Sequence, residues 1–199
     1  MNDFEGDEFK AFVFKNRGAL LALPAIGLIL FGRPSAFSIS LGLPLAFLGE
    51  AVRCWAVGYS GVTTRDDRVV APELVTAGPY AYVRNPLYVG NFLTAAGFAL
   101  AYTGKNTFGA RLGLMGLGLG SMAAIYAIII PHEEAFLRSR FGAAFEAYCG
   151  EVPPIFPLKE AAAGGKGDYK PEVIPQAESR TFGSLAAMLV ILGLKALRA

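Results

Sequence analysis

Five apolar stretches of this chain point to lipid as their solvent: residues 18–32, short but extendable, 38–59, 87–102, 108–130 and, weakest of the five, 182–194. A helix needs about 20 mostly apolar residues to cross the hydrocarbon core, because in lipid each backbone polar group must be satisfied inside the segment. Charged residues make up 17% of the chain and apolar ones 54%, whereas soluble domains carry about 25% charged residues. In water, a chain of this length buries only about 70% of its unfolded surface. The expected fold class is therefore all-α: a polytopic membrane helical bundle of about five transmembrane helices. A net charge of +2 argues for no nucleic acid, and no metal site is expected.

The individual segments carry further signals. The first closes at Arg33-Pro34. The second holds Glu50 and Arg53, three apart and so on one helix face; they either pair near the helix end or serve a function, since charges inside a span are costly. In 108–130, Gly109 and Gly113 are four apart, as are Gly116 and Gly120. That spacing permits close helix approach and homo-oligomerisation, and Pro131 is expected to end or kink the helix. The segment 182–194, within the expected last helix 181–199, could instead lie in the interface. Residues 159–180, rich in Ala, Gly, Lys and Pro, read as a flexible linker after a membrane core of residues 1–158. The first seventeen residues mix acids and bases, so no cleavable signal peptide is expected. Cys54 and Cys149 sit in unlike surroundings, so no disulfide is expected between them.

Basic residues orient the helices. Placing the N-terminus, the 60–86 loop and the 131–181 segment on one side gives that side 12 Lys and Arg, against 5 on the other, with Arg53 inside a span. The positive-inside rule then makes the first side cytoplasmic, with the chain in the cell inner membrane.

Two polar blocks lie on that side, at 60–86 and 131–157. The first reads Leu74-Val75-Thr76-Ala77-Gly78-Pro79-Tyr80-Ala81-Tyr82-Val83-Arg84-Asn85-Pro86-Leu87-Tyr88-Val89-Gly90. Gly78-Pro79 is turn chemistry, and Arg84 and Asn85 stand just ahead of a helix N-terminus, a natural place for a carboxylate or phosphate. An interfacial turn with a tyrosine belt would look the same. The second block opens with His132-Glu133-Glu134, whose adjacent carboxylates point about 100° apart on a helix and so suit two different partners. Phe136, Leu137, Phe141, Phe145 and Tyr148 follow at helical spacing.

Taken together, the two blocks resemble the isoprenylcysteine carboxyl methyltransferase family, grouped with the membrane phospholipid methyltransferases, in a bacterial- or archaeal-type form. The resemblance covers roughly residues 74–157. It implies transfer of a methyl group from S-adenosylmethionine to a lipophilic acceptor, either an isoprenylcysteine-like carboxylate or a lipid amine. It also implies cofactor contacts at Glu73, Leu74, Val75, Tyr80, Asn85, Pro86, Leu87, Tyr88 and Glu133. Arg84, Glu133 and Glu134 are the implied catalytic residues, with Arg84 and Asn85 on the methionine carboxylate and a glutamate on the ribose or ammonium.

The chain departs from the family pattern at three points. Asn85 stands where the family has His, Ile129 where it often has an Arg that serves the acceptor, and Pro154 where Val-Pro-Arg is usual. Two other readings remain: a small membrane transporter or assembly protein with Glu50 and Arg53 lining a path, or a lipid reductase using a nicotinamide cofactor, for whose 2′-phosphate no basic cluster stands out beyond Arg65 and Arg68.

Overall fold

A computed structural model describes residues 8–61 and 71–198. Arg65 and Arg68 lie outside the described residues. Among the described residues the chain is all helical: α1 (Glu8–Phe31), α2 (Ala36–Ser60), α3 (Pro86–Tyr102), α4 (Phe108–Phe141), α5 (Ala143–Glu151), α6 (Ile174–Ala177) and α7 (Ser179–Leu197), with 3₁₀ turns at Gly78–Ala81 and Pro171–Val173. Four of these, α1, α2, α4 and α7, are long and apolar enough to cross a membrane. The expected third span is shorter. Helix α3 has 17 residues, about 25 Å, against a hydrocarbon core of about 30 Å.

Pro131 lies inside α4, which continues to Phe141 and totals 34 residues. At about 50 Å this helix is longer than the hydrocarbon core is thick, so its polar C-terminal part, with Glu133 and Glu134, can extend beyond the apolar stretch. Large side chains on the spans face outward. Leu23 is 63% exposed, Phe37 73% and Phe108 78%. Such surface fits contact with lipid tails, since soluble monomers seldom expose contiguous apolar patches of large area.

The chain divides into two compact units. The first comprises Met1–Leu48, Phe92–Ile129 and Ser184–Ala199. Its core gathers Leu28, Ala46, Phe98, Ala101, Tyr102 and Leu192. Small residues let α2 and α3 meet backbone to backbone: a Cβ on Gly97 would fall 2.4 Å from the Ala46 nitrogen, and one on Gly42 2.4 Å from the Gly97 oxygen. Polar groups in this unit close onto backbone carbonyls. Tyr102 donates its hydroxyl to the Met188 carbonyl at 2.7 Å, Ser38 to that of Ala101 at 2.9 Å, and Lys195 its ammonium to that of Ile29 at 2.7 Å. By contrast, Gly109, Gly113, Gly116 and Gly120 would meet nothing within 4 Å among the described residues.

The second unit comprises Gly49–Asn91 and Ile130–Gly183. Its apolar centre is Phe145, Tyr148 and Val152, against which Leu74, Leu137, Phe141, Cys149 and Ala162 pack. The stripe of aromatic residues in the second block thus folds around α5.

Overpacking separates the two glycine environments. Gly97→Leu is expected to cost about 1–3 kcal/mol and to lower the thermal unfolding midpoint in detergent. Gly116→Leu is expected to stay within about 0.5 kcal/mol of the parent.

Candidate functional site

Both polar blocks belong to the second unit, and their side chains meet. Pro79 starts the turn that carries Tyr80, and Gly78 takes a positive φ of 61°. Glycine is required there on a second ground, since a Cβ would fall 2.2 Å from the Tyr59 ring. After the turn, the Arg84 and Asn85 amides donate to the Pro153 and Pro154 carbonyls at 2.9 and 3.1 Å. The chain then enters α3 at Pro86, which is fully buried.

The adjacent glutamates of α4 take different partners. Glu134 accepts from Arg84 twice, Nε to Oε1 at 2.9 Å and Nη2 to Oε2 at 3.1 Å, and from the Asn85 amide at 3.3 Å. Arg84 Nη1 donates to the Val152 carbonyl at 2.7 Å, and Asn85 Nδ2 to that of Pro154 at 3.1 Å. Glu133 instead accepts the Tyr88 hydroxyl at 2.8 Å. The α3 N-terminus is also committed locally, as the Tyr88 and Val89 amides both donate to the Asn85 carbonyl. In this arrangement Arg84 and Asn85 join the two blocks, and Glu133 is the carboxylate set among tyrosines.

Tyr80 lies close enough to feel Glu133, and its phenol pKa is pushed up to about 12, chiefly by burial, with the Glu133 charge adding and a Ser60 hydrogen bond and Arg53 opposing. It therefore stays a neutral phenol at physiological pH. Tyr148 donates its hydroxyl to the Tyr80 carbonyl at 2.7 Å, and burial pushes its own pKa upward as well. Burial likewise raises the Cys149 thiol, with Arg84 opposing and Glu134 adding.

The remaining expected site residues are spread around this centre. Leu74 packs on the Phe145 cluster, while Val75 lies beside Gly167, where an added Cβ would approach it to 3.1 Å. Leu87 is half-buried, and Glu73 is exposed at the edge of the block. Sequence reasoning missed Ser60, Tyr59 and Tyr169. It also missed Glu178, which binds Arg53 through Nη2 at 2.8 Å to both carboxylate oxygens. Glu50 is a more distant neighbour of Arg53, 3.9 Å from Nε, and Asn91 also accepts from the guanidinium. Glu178 did leave a trace in the sequence: a lone carboxylate just ahead of an apolar run.

This fold and these joined blocks define a helical protein with several helices of membrane length and a cluster of joined polar side chains within its second unit. The chain belongs to the phospholipid methyltransferase family, whose sequence profile matches residues 37–144, more than half of it. It is 41% identical over 130 residues to the protein-S-isoprenylcysteine O-methyltransferase of Schizosaccharomyces pombe, covering 61% of this chain and 51% of the relative. It is 34% identical over 117 residues to the nickel-cobalt-cadmium resistance protein NccN of Alcaligenes xylosoxydans xylosoxydans, covering 59% and 47%. With the cobalt-zinc-cadmium resistance protein CzcN of Cupriavidus metallidurans it shares 35% identity over 117 residues, covering 59% and 46%. The chain spans about half the length of these curated relatives. No solved structure matches. Among the described residues, no three His, Cys, Asp or Glu side chains are grouped as a metal ion would need.

Removing one partner of a buried ion pair strands the other. Arg84→Met or Glu134→Leu alone is expected to cost about 3–5 kcal/mol, and the double variant clearly less than the sum, as read by a double-mutant cycle on unfolding in detergent.

Proposed function

We propose that this chain transfers a methyl group from S-adenosylmethionine to a lipophilic acceptor at the cytoplasmic face of the cell inner membrane. The observation that carries the reading is the Tyr88–Glu133 contact at 2.8 Å, which closes residues 45 positions apart around one point in a chain of this family. The bound cofactor would supply an electrophilic methyl on a sulfonium. The donor set fits it. Glu133 offers a carboxylate for ribose hydroxyls or an ammonium group, and Tyr59, Tyr80 and Tyr88 offer aromatic faces of the kind that attract cations.

In this reading Glu133 is the cofactor-binding carboxylate. Arg84 and Glu134 are positioning residues: they hold the end of the first block against α4, and four of the five guanidinium N–H groups are committed to protein acceptors. Methyl transfer mainly requires alignment of donor and acceptor and exclusion of water. An isoprenylcysteine-like carboxylate is already anionic and needs no base, whereas a lipid amine must first lose a proton. With Ile129 at the position where the family often has Arg, an acceptor carboxylate lacks that partner, which favours the amine. The topology goes with the proposal: 12 basic residues, against 5, flank the face that carries the site.

Saturable binding of labelled S-adenosylmethionine to detergent-purified protein is the expected result. Glu133→Gln should weaken it by about 1.5–3 kcal/mol, the range for a hydrogen bond to a charged group, and Tyr88→Phe by less. Binding unchanged in both variants would reject the assignment of Glu133.

A further inference from the structure

Residues 159–180 have no apolar period with which to build a core, so their position must come from what they touch. Within the second unit they are tied at four places. The Ala162 amide donates to the Ala81 carbonyl at 3.0 Å. The Thr76 and Ala77 amides both donate to the Lys166 carbonyl, at 2.9 and 3.0 Å, and the Lys166 amide returns a bond to Thr76 Oγ1 at 2.9 Å. The Lys170 amide donates to the Gly58 carbonyl at 2.7 Å. The fourth tie is Glu178 on Arg53.

Two glycines of this segment make so close an approach possible. A Cβ on Gly165 would fall 2.7 Å from Ala77 Cα, and Gly167 has a φ of 120° and lies against Val75. Tyr169 packs on Tyr59, ring centroids 5.4 Å apart, and Tyr59 fills the space over Gly78. The segment's position is therefore passed directly to the turn that carries Tyr80.

Glu178 is 1% exposed, and a buried carboxylate needs its cation. Arg53 is the hub, with Glu50 3.9 Å from its Nε. If Glu178 withdraws, the guanidinium still has a carboxylate beside it, so release does not strand a buried positive charge.

We propose that residues 162–178 form a strap that backs the Leu74–Ala77 wall of the proposed cofactor site, with the Arg53–Glu178 ion pair as its clasp. This rests on the methyltransferase reading and adds to it a positioning device outside residues 37–144, the region matched to the family. When the clasp opens, the pocket wall is formed only part of the time, and apparent affinity falls by that fraction. The maximal rate changes much less, because the strap acts on how often the wall is formed and not on the reacting groups.

The test uses the full chain in detergent and S-adenosylhomocysteine, the demethylated cofactor, as probe. Calorimetry gives its Kd, and tryptic cleavage after Lys166 reports the strap. In the parent, the probe is expected to bind saturably and to slow cleavage after Lys166. Glu178→Gln is expected to raise Kd about tenfold and to speed cleavage. Gly165→Val, which leaves the buried charges intact, is expected to raise Kd similarly. Parent-like Kd in Glu178→Gln and Gly165→Val, with cleavage indifferent to the probe, would overturn the strap and leave the methyltransferase reading standing. No saturable binding to the parent would overturn both.

Discussion

Arg84 and Glu134 face each other through two hydrogen bonds, with side chains only 12% and 15% exposed. A planar guanidinium meets a carboxylate edge to edge in a way that a lysine could not reproduce. Arg84 Nη1 donates to the Val152 and Cys149 carbonyls, so a single side chain fixes the end of the first block against both α4 and α5. Around it, Glu133 meets Tyr88, Tyr148 meets the Tyr80 carbonyl, and Asn85 bridges Glu134 and Pro154. Take this pair away and the tyrosines of the first block lose their register against α4.

A second buried charge cluster, on Arg53, does comparable work on the other side of the same unit. The two clusters share a logic that suits a membrane protein. Charge is scarce in this chain and expensive to bury, so each guanidinium is matched to a carboxylate far away in sequence and joins segments that apolar packing alone would not align. Outside these clusters, cohesion comes from close backbone approach at Gly42 and Gly97 and from the Phe145 centre.

Much of the helical architecture was legible, because apolar runs of membrane length have few alternatives. The all-helical class follows from them, as do the spans in α1, α2, α4 and α7. Helix α3 is the exception in length, and Pro131 did not stop α4. A proline inside a long helix forfeits one hydrogen bond, a loss that can be absorbed locally. The two polar blocks were also visible, since Gly78-Pro79, the tyrosines and the paired glutamates are unusual beside apolar segments. Their internal wiring was not. Which of two adjacent glutamates meets Arg84 depends on the rotation of α4 about its axis, which no local pattern encodes. Glu178 lies 125 residues from Arg53, beyond any periodicity argument. Residues 159–180 read as a linker by composition, yet carry specific backbone bonds to 58, 76, 77 and 81. The same glycines that suggest looseness in sequence allow that close docking.

The central claim is that the joined blocks form a methyl-transfer site with Glu133 at its centre. Its most direct test is transfer of a labelled methyl group from S-adenosylmethionine into the lipid extract of membranes containing the parent chain or Glu133→Gln. The account predicts label in a lipid fraction with the parent and its loss, by about ten- to hundredfold at limiting cofactor, with the variant. Equal labelling by both, or none by a parent shown to be folded, would contradict it.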